Sequence, residues 1–120
     1  MARIKYLWDT SRLEFEVAKS AVPKVDDRNV QKVDPSTGWP VWSVEVTAWL
    51  GEDEGSESLA VSVAAATRPE LHWRQPVELV DCEMLPWSTK GRRDGEFRSG
   101  VAFRAKEIRP VNVTALPAAA

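Results

Sequence analysis

Apolar and polar positions alternate along most of this chain, and the alternation predicts strands. In residues 41–50, Trp42, Val44, Val46, Ala48 and Leu50 share one parity, while Val41, Ser43, Glu45, Thr47 and Trp49 share the other. This is the pattern of a strand with one face in a core. Upstream, residues 30–33 form a short β-like run. Asp34-Pro35-Ser36-Thr37-Gly38 then supplies turn chemistry, since proline fixes φ and glycine accepts a positive one. Together they predict a hairpin. A polar, acidic, glycine-bounded turn at residues 51–56 leads into a further strand over residues 57–66, where Leu59, Val61, Val63 and Ala65 alternate with Ser58, Ala60, Ser62 and Ala64.

Residues 67–71 (Thr-Arg-Pro-Glu-Leu) predict a short helical turn, with Thr67 as N-cap and proline in the first turn. In residues 76–84, Val77 and Leu79 share one parity and Val80, Cys82 and Met84 the other. That change of phase predicts a bulge or bend. A last strand is expected over residues 96–108. Phe97, Ser99, Val101, Phe103 and Ala105 there oppose a basic face with Arg98, Arg104 and Lys106. Residues 12–20 carry helical propensity, yet Leu13, Phe15 and Val17 alternate, which favours a strand ended by Pro23.

The resulting expectation is a mainly β fold, a small five- to six-stranded barrel resembling the oligonucleotide-binding (OB) fold, with one short helical turn. The same pattern accommodates an SH3-like barrel. Residues 1–113 are expected to form the single domain and residues 114–120, rich in alanine, a disordered tail.

Charge changes the picture, because the net of −2 is unevenly spread. Residues 1–50 are balanced, residues 51–85 carry a net of −6, and residues 86–120 carry seven cations against three carboxylates, a net of +4. The N-terminal residues lack the apolar run of a signal peptide or spanning segment, and the one cysteine, Cys82, has no intramolecular partner. A cytoplasmic location without membrane contact is therefore expected.

Catalysis is not expected. His72 is the sole histidine, with no recognisable nucleophile beside it, and no phosphate loop or zinc spacing occurs. Glu52-Asp53-Glu54 lacks the spaced oxygens of a calcium loop and reads as a solvated turn. Neither a cofactor nor a metal is anticipated.

The informative excess is six tryptophans. Trp42 lies on the core parity of its strand; Trp49 lies on the opposite one, and Trp39 and Trp87 stand beside prolines at strand ends. For these last three, base stacking, a protein interface and ordinary packing are all open readings. The segment from Trp87 to Arg98 adds Lys90, Arg92, Arg93 and two glycines, which suits a basic hairpin closing on a phosphate backbone. Its alternative is a solvated hairpin whose charges resist edge-to-edge aggregation.

Pro86-Trp87, the basic loop after it, Ser99-Gly100-Val101-Ala102-Phe103-Arg104-Ala105 and Ile108-Arg109-Pro110 resemble the Pra-like regulatory proteins of actinomycete integrative and conjugative plasmids. The resemblance runs more loosely back through Val44-Glu45-Val46 and Thr37-Gly38 to about Val30, and Asp9-Thr10 extends it. It implies a role in regulating replication or transfer of a mobile element. The chain departs from that pattern in its tryptophan-bearing first half, with Trp8, Trp42 and Trp49, and in its richer acidic turn at residues 52–57.

Two functions compete. In the first, the protein binds single-stranded DNA, with Trp49, Trp87 and Phe97 stacking on bases and Lys90, Arg92, Arg93, Arg98, Arg104 and Lys106 along the phosphates. In the second, the same tryptophans bury against a replication or integration protein, and the acidic middle steers a basic partner. Unpaired sheet edges and surplus tryptophan also point to a homodimer.

Overall fold

The computed structural model describes residues 6–90, 95 and 97–111, with the backbone alone at Thr89, Lys90 and Phe97. Within them the chain forms eight strands: β1 (Tyr6–Leu7), β2 (Glu14–Pro23), β3 (Val41–Gly51), β4 (Gly55–Ala64), β5 (Pro76–Val80), β6 (Glu83–Lys90), β7 (Phe97–Arg104) and β8 (Glu107–Pro110). They make one sheet in the order β1-β6-β7-β4-β3-β2-β5-β8. Neighbours are antiparallel except β4 and β7, which run parallel.

The centre is the β2–β3–β4 meander, and it follows directly from alternation. Val44, Val46 and Ala48 of β3 are buried, as are Val61 and Val63 of β4 and Phe15, Val17 and Ala21 of β2. Val77 and Leu79 of β5, Cys82, Ala105 and Ile108 complete the core, with Trp8, Trp42 and Phe103 packed at its margin. Trp8 meets Phe15 edge-on, with ring centroids 5.8 Å apart, a geometry favoured by the ring quadrupoles. Trp42 closes the other side by donating its indole N–H to the Ala65 carbonyl at 3.0 Å.

Three expectations are corrected. Eight strands replace five to six because two expected strands are each divided and Tyr6–Leu7 adds an unexpected short one, while the run at residues 30–33 forms none. Residues 76–84 turn at Asp81, whose φ of 47° ends β5, so the change of phase marks a bend between two strands. The last strand divides at Ala105, which is buried, and Lys106, whose N–H bonds to the Val80 carbonyl at 2.9 Å. Second, hydrogen bonding does not close the sheet into a barrel: β1 and β8 are its edges. Third, residues 67–71 form no helical turn. So short a segment cannot offset helix nucleation, and it is pinned instead by the buried side chain of Leu71 and by Arg68, which donates to the Ala21 carbonyl at 2.8 Å. The short run at residues 30–33 is likewise reduced to isolated bridges, Val25↔Gln31 and Val33↔Pro40, around the expected turn, where Gly38 has φ 75°. The expected tail at residues 114–120 lies outside the described residues.

The β6–β7 ladder positions the site. β7 meets β4 at only two pairs, Val61↔Phe103 and Ser62↔Arg104, whereas β6 and β7 stay paired out to Lys90↔Phe97. Its outer part is therefore a two-stranded ribbon, in a molecule measuring 60 × 36 × 25 Å.

Candidate nucleic-acid interface

Residues opposite one another in an antiparallel ladder share a face. The register Glu83↔Arg104, Leu85↔Ala102, Trp87↔Gly100 thus places these six side-chain positions on one face of the ribbon, and Arg98, two residues from Gly100, joins them. Trp87 is 46% exposed and lies against Gly100. A Cβ added to Gly100 would stand 2.8 Å from Trp87 Cζ2, so only glycine lets the indole rest on the strand. An aromatic ring across a strand glycine is a known stabilising pair. Here it also presents the indole to solvent.

The same face continues into an open groove of about 1850 Å³. Leu85, Ala102 and Arg104 line it from the ribbon; Lys24, Lys32 and Trp39 line it from the connection between β2 and β3. That connection is held by backbone bonds in a ring: Lys24 N–H to the Val41 carbonyl at 3.0 Å, Lys32 N–H to the Lys24 carbonyl at 2.8 Å, and Val41 N–H to the Lys32 carbonyl at 2.8 Å. Trp39, 46% exposed, follows the turn in which the Asp34 carboxylate accepts from Ser36 and Thr37. Lys24 reaches across to β4, its Nζ donating to Ser62 Oγ at 2.6 Å. Partial burial, then the charges of Lys32 and Arg104, push the Lys24 ammonium below its ordinary pKa.

Five carboxylates also line the groove, Asp34, Glu70, Asp81, Glu83 and Glu107. Glu83 takes Arg104 at 2.6 Å and Glu107 takes Arg109 at 3.4 Å. Among the described residues, Lys24, Lys32 and Lys106 have no carboxylate within salt-bridge distance.

The sequence-predicted residues therefore separate. Trp87, Arg98 and Arg104 share the ribbon face, and Lys106 lines the groove. Lys90 and Phe97 pair with each other three positions beyond Trp87 and Gly100, while Arg92 and Arg93 lie outside the described residues. Trp49 is exposed as expected, at 45%, but at the far end of β3, opposite Ser56 of β4 and Glu14 of β2. Sequence reading missed Lys24 and Lys32, which stand apart from the basic C-terminal segment. The bend that folds them over Ser62 leaves no periodic signal. Trp39 carried one, its position between a glycine and a proline after a turn.

Other reactive groups lie apart from this site. Cys82 is buried, and desolvation, with a smaller effect from Glu83, holds its thiol up at about 11, so it is a poor nucleophile at neutral pH. His72 is exposed on the loop before β5. Among the described residues no group of three or more His, Cys, Asp or Glu is placed to hold a metal ion, and no helix is long and apolar enough to cross a membrane. Comparison with protein families, curated proteins and solved structures finds no match for this chain.

Proposed function

We propose that this protein binds single-stranded DNA without catalysis, along the groove and the adjoining face of the β6–β7 ribbon. The observation that carries the reading is the meeting, on one surface, of two half-exposed tryptophans, Trp39 and Trp87, with Lys24, Lys32, Arg98, Arg104 and Lys106. Bases stack on aromatic faces regardless of identity, while lysine and arginine neutralise phosphates.

The strand path supports the finer architecture. β7 and β8 are separated only by Ala105 and Lys106; β7 lies on β4 and β8 on β5, which in turn lies on β2. Taken as two halves of one strand, they complete a five-strand circuit of the OB kind. In such barrels ligands bind between the connection joining the first two strands and the hairpin before the last. Here those are residues 24–40 and the β6–β7 ribbon. The resemblance through Pro86-Trp87 and residues 99–105, which form this ribbon, supports a setting in replication or transfer of a mobile element.

Intrinsic tryptophan fluorescence titrated with oligo-dT, and separately with a duplex of equal length, tests the reading. With one phosphate per cation at five cations, affinity for oligo-dT should fall about a hundredfold between about 50 and 200 mM salt. Unchanged emission with both nucleic acids would overturn it.

A second reading has its own observation. Trp73 is 73% exposed, lies outside the groove lining, and is covered by the Arg74 guanidinium 5.6 Å from its centroid. Tryptophan and arginine are the residues most enriched at protein interface centres. A replication or integration protein docking there is the alternative, favoured if oligo-dT leaves the emission unchanged.

A further inference from the structure

The cations of the proposed surface differ in how they are held. Arg98 and Lys106 are exposed, as extended chains on strands usually are. Lys32 and Arg104 are exposed too; Lys24, drawn in from the β2–β3 connection to bond Ser62, is half-buried, and Lys32 and Arg104 line the same groove. Ser62 is only 8% exposed and sits opposite Arg104 in the β4–β7 ladder, with its carbonyl accepting from the Ala105 N–H at 2.9 Å. Its hydroxyl fixes the Lys24 ammonium, and the backbone ring through Val41 fixes Lys32 beside Lys24.

Holding the half-buried Lys24 ammonium beside two further cations is unfavourable unless an anion joins them. The depressed pKa of Lys24 reports that cost. Carboxylates relieve it only at Arg104, which pairs with Glu83 at 2.6 Å and whose charge also reaches Asp34; none lies within salt-bridge distance of Lys24 or Lys32 among the described residues. A tetrahedral oxyanion would accept from both ammonium groups and from the Arg104 guanidinium, which can serve two acceptors at once.

We infer that Lys24, Lys32, Arg104 and Ser62 form a preorganised seat for one phosphate group, and, resting on the single-strand reading above, that its occupant is a backbone phosphodiester. The seat fixes one nucleotide beside Trp39, and the remaining cations follow the strand along the ribbon.

Two measurements test the seat. The ¹⁵N-labelled chain is titrated with inorganic phosphate against chloride at matched ionic strength. Phosphate should shift the amides of Lys24, Lys32, Ser62 and Arg104, the shifts being lost in Lys24→Met and reduced in Lys32→Ala, whose side chain is exposed. No shift at these amides, or shifts undiminished in both variants, overturns the seat. Against oligo-dT, Lys24→Met should cost about tenfold in affinity and flatten the slope of log affinity against log salt by about 0.7. A methylphosphonate backbone, which is uncharged, should erase the difference between wild type and variant. Phosphate shifts without oligo-dT binding uphold the seat and remove the single-strand reading; oligo-dT binding with an unchanged slope in Lys24→Met removes the seat and keeps that reading.

Discussion

The β3–β4 and β6–β7 hairpins each present one tryptophan to solvent, Trp49 at 45% and Trp87 at 46% exposure. Their surroundings are opposite in kind. Trp49 stands between Ser56 and Glu14, just before the tip that carries Glu52, Asp53 and Glu54. Trp87 rests on Gly100, between Arg98 and Arg104 on its own face, and that face opens into the groove with Lys24 and Lys32. Exposure alone therefore does not mark a stacking site. On the proposed reading, phosphates would be repelled from the first ring and drawn to the second by the charge around each.

The sharpest way to break this comparison is to remove both rings on the basic side. Trp39→Ala with Trp87→Ala should lower oligo-dT affinity by about a hundredfold, each base–aromatic stack supplying about 1–3 kcal/mol. A loss of twofold or less, measured by fluorescence anisotropy of labelled oligo-dT, would mean that neither ring meets a base.

Displacing one ring without deleting it is the next test. Gly100→Val puts a Cβ where Trp87 Cζ2 would be 2.8 Å away, so the indole must leave the strand. Affinity should fall about tenfold, the value of one stack. Because valine suits a strand, thermal stability should change by less than about 1 kcal/mol. Equal affinity in wild type and Gly100→Val would show that the resting place of the indole does not matter.

The smallest effects belong to the acidic hairpin. Trp49→Ala should leave oligo-dT affinity within about twofold, since a ring beside carboxylates gains little from a polyanion. Neutralising the tip with Glu52→Gln, Asp53→Asn and Glu54→Gln should raise affinity about threefold at low salt and not at physiological salt, where charges are screened beyond about 8 Å. A tenfold loss in Trp49→Ala would reverse the assignment of the two hairpins.

Strand alternation carried most of the fold, because each strand of the meander has one face in the core and one outside. The helical turn at residues 67–71 was misread for a physical reason: N-cap and proline signals describe local preference, whereas Leu71 and Arg68 are held by contacts distant in sequence. At the site, Trp87, Arg98 and Arg104 were readable because they share the period of a ribbon. Lys24 and Lys32 were not, since they lie in an irregular connection and gain meaning only through Ser62, 38 residues from Lys24.

What the sequence determined by itself is the mainly β class with the β2–β3–β4 alternation, the sign of charge along the chain and the surplus of tryptophan, all of which follow from side-chain chemistry and a two-residue repeat. Tertiary structure alone decided that the strands form one eight-stranded sheet, that Trp87 is seated on Gly100, and that Lys24 bonds Ser62 in a groove it shares with Lys32 and Arg104. Those outcomes depend on pairing between distant segments, and local periodicity holds no record of which segments will meet.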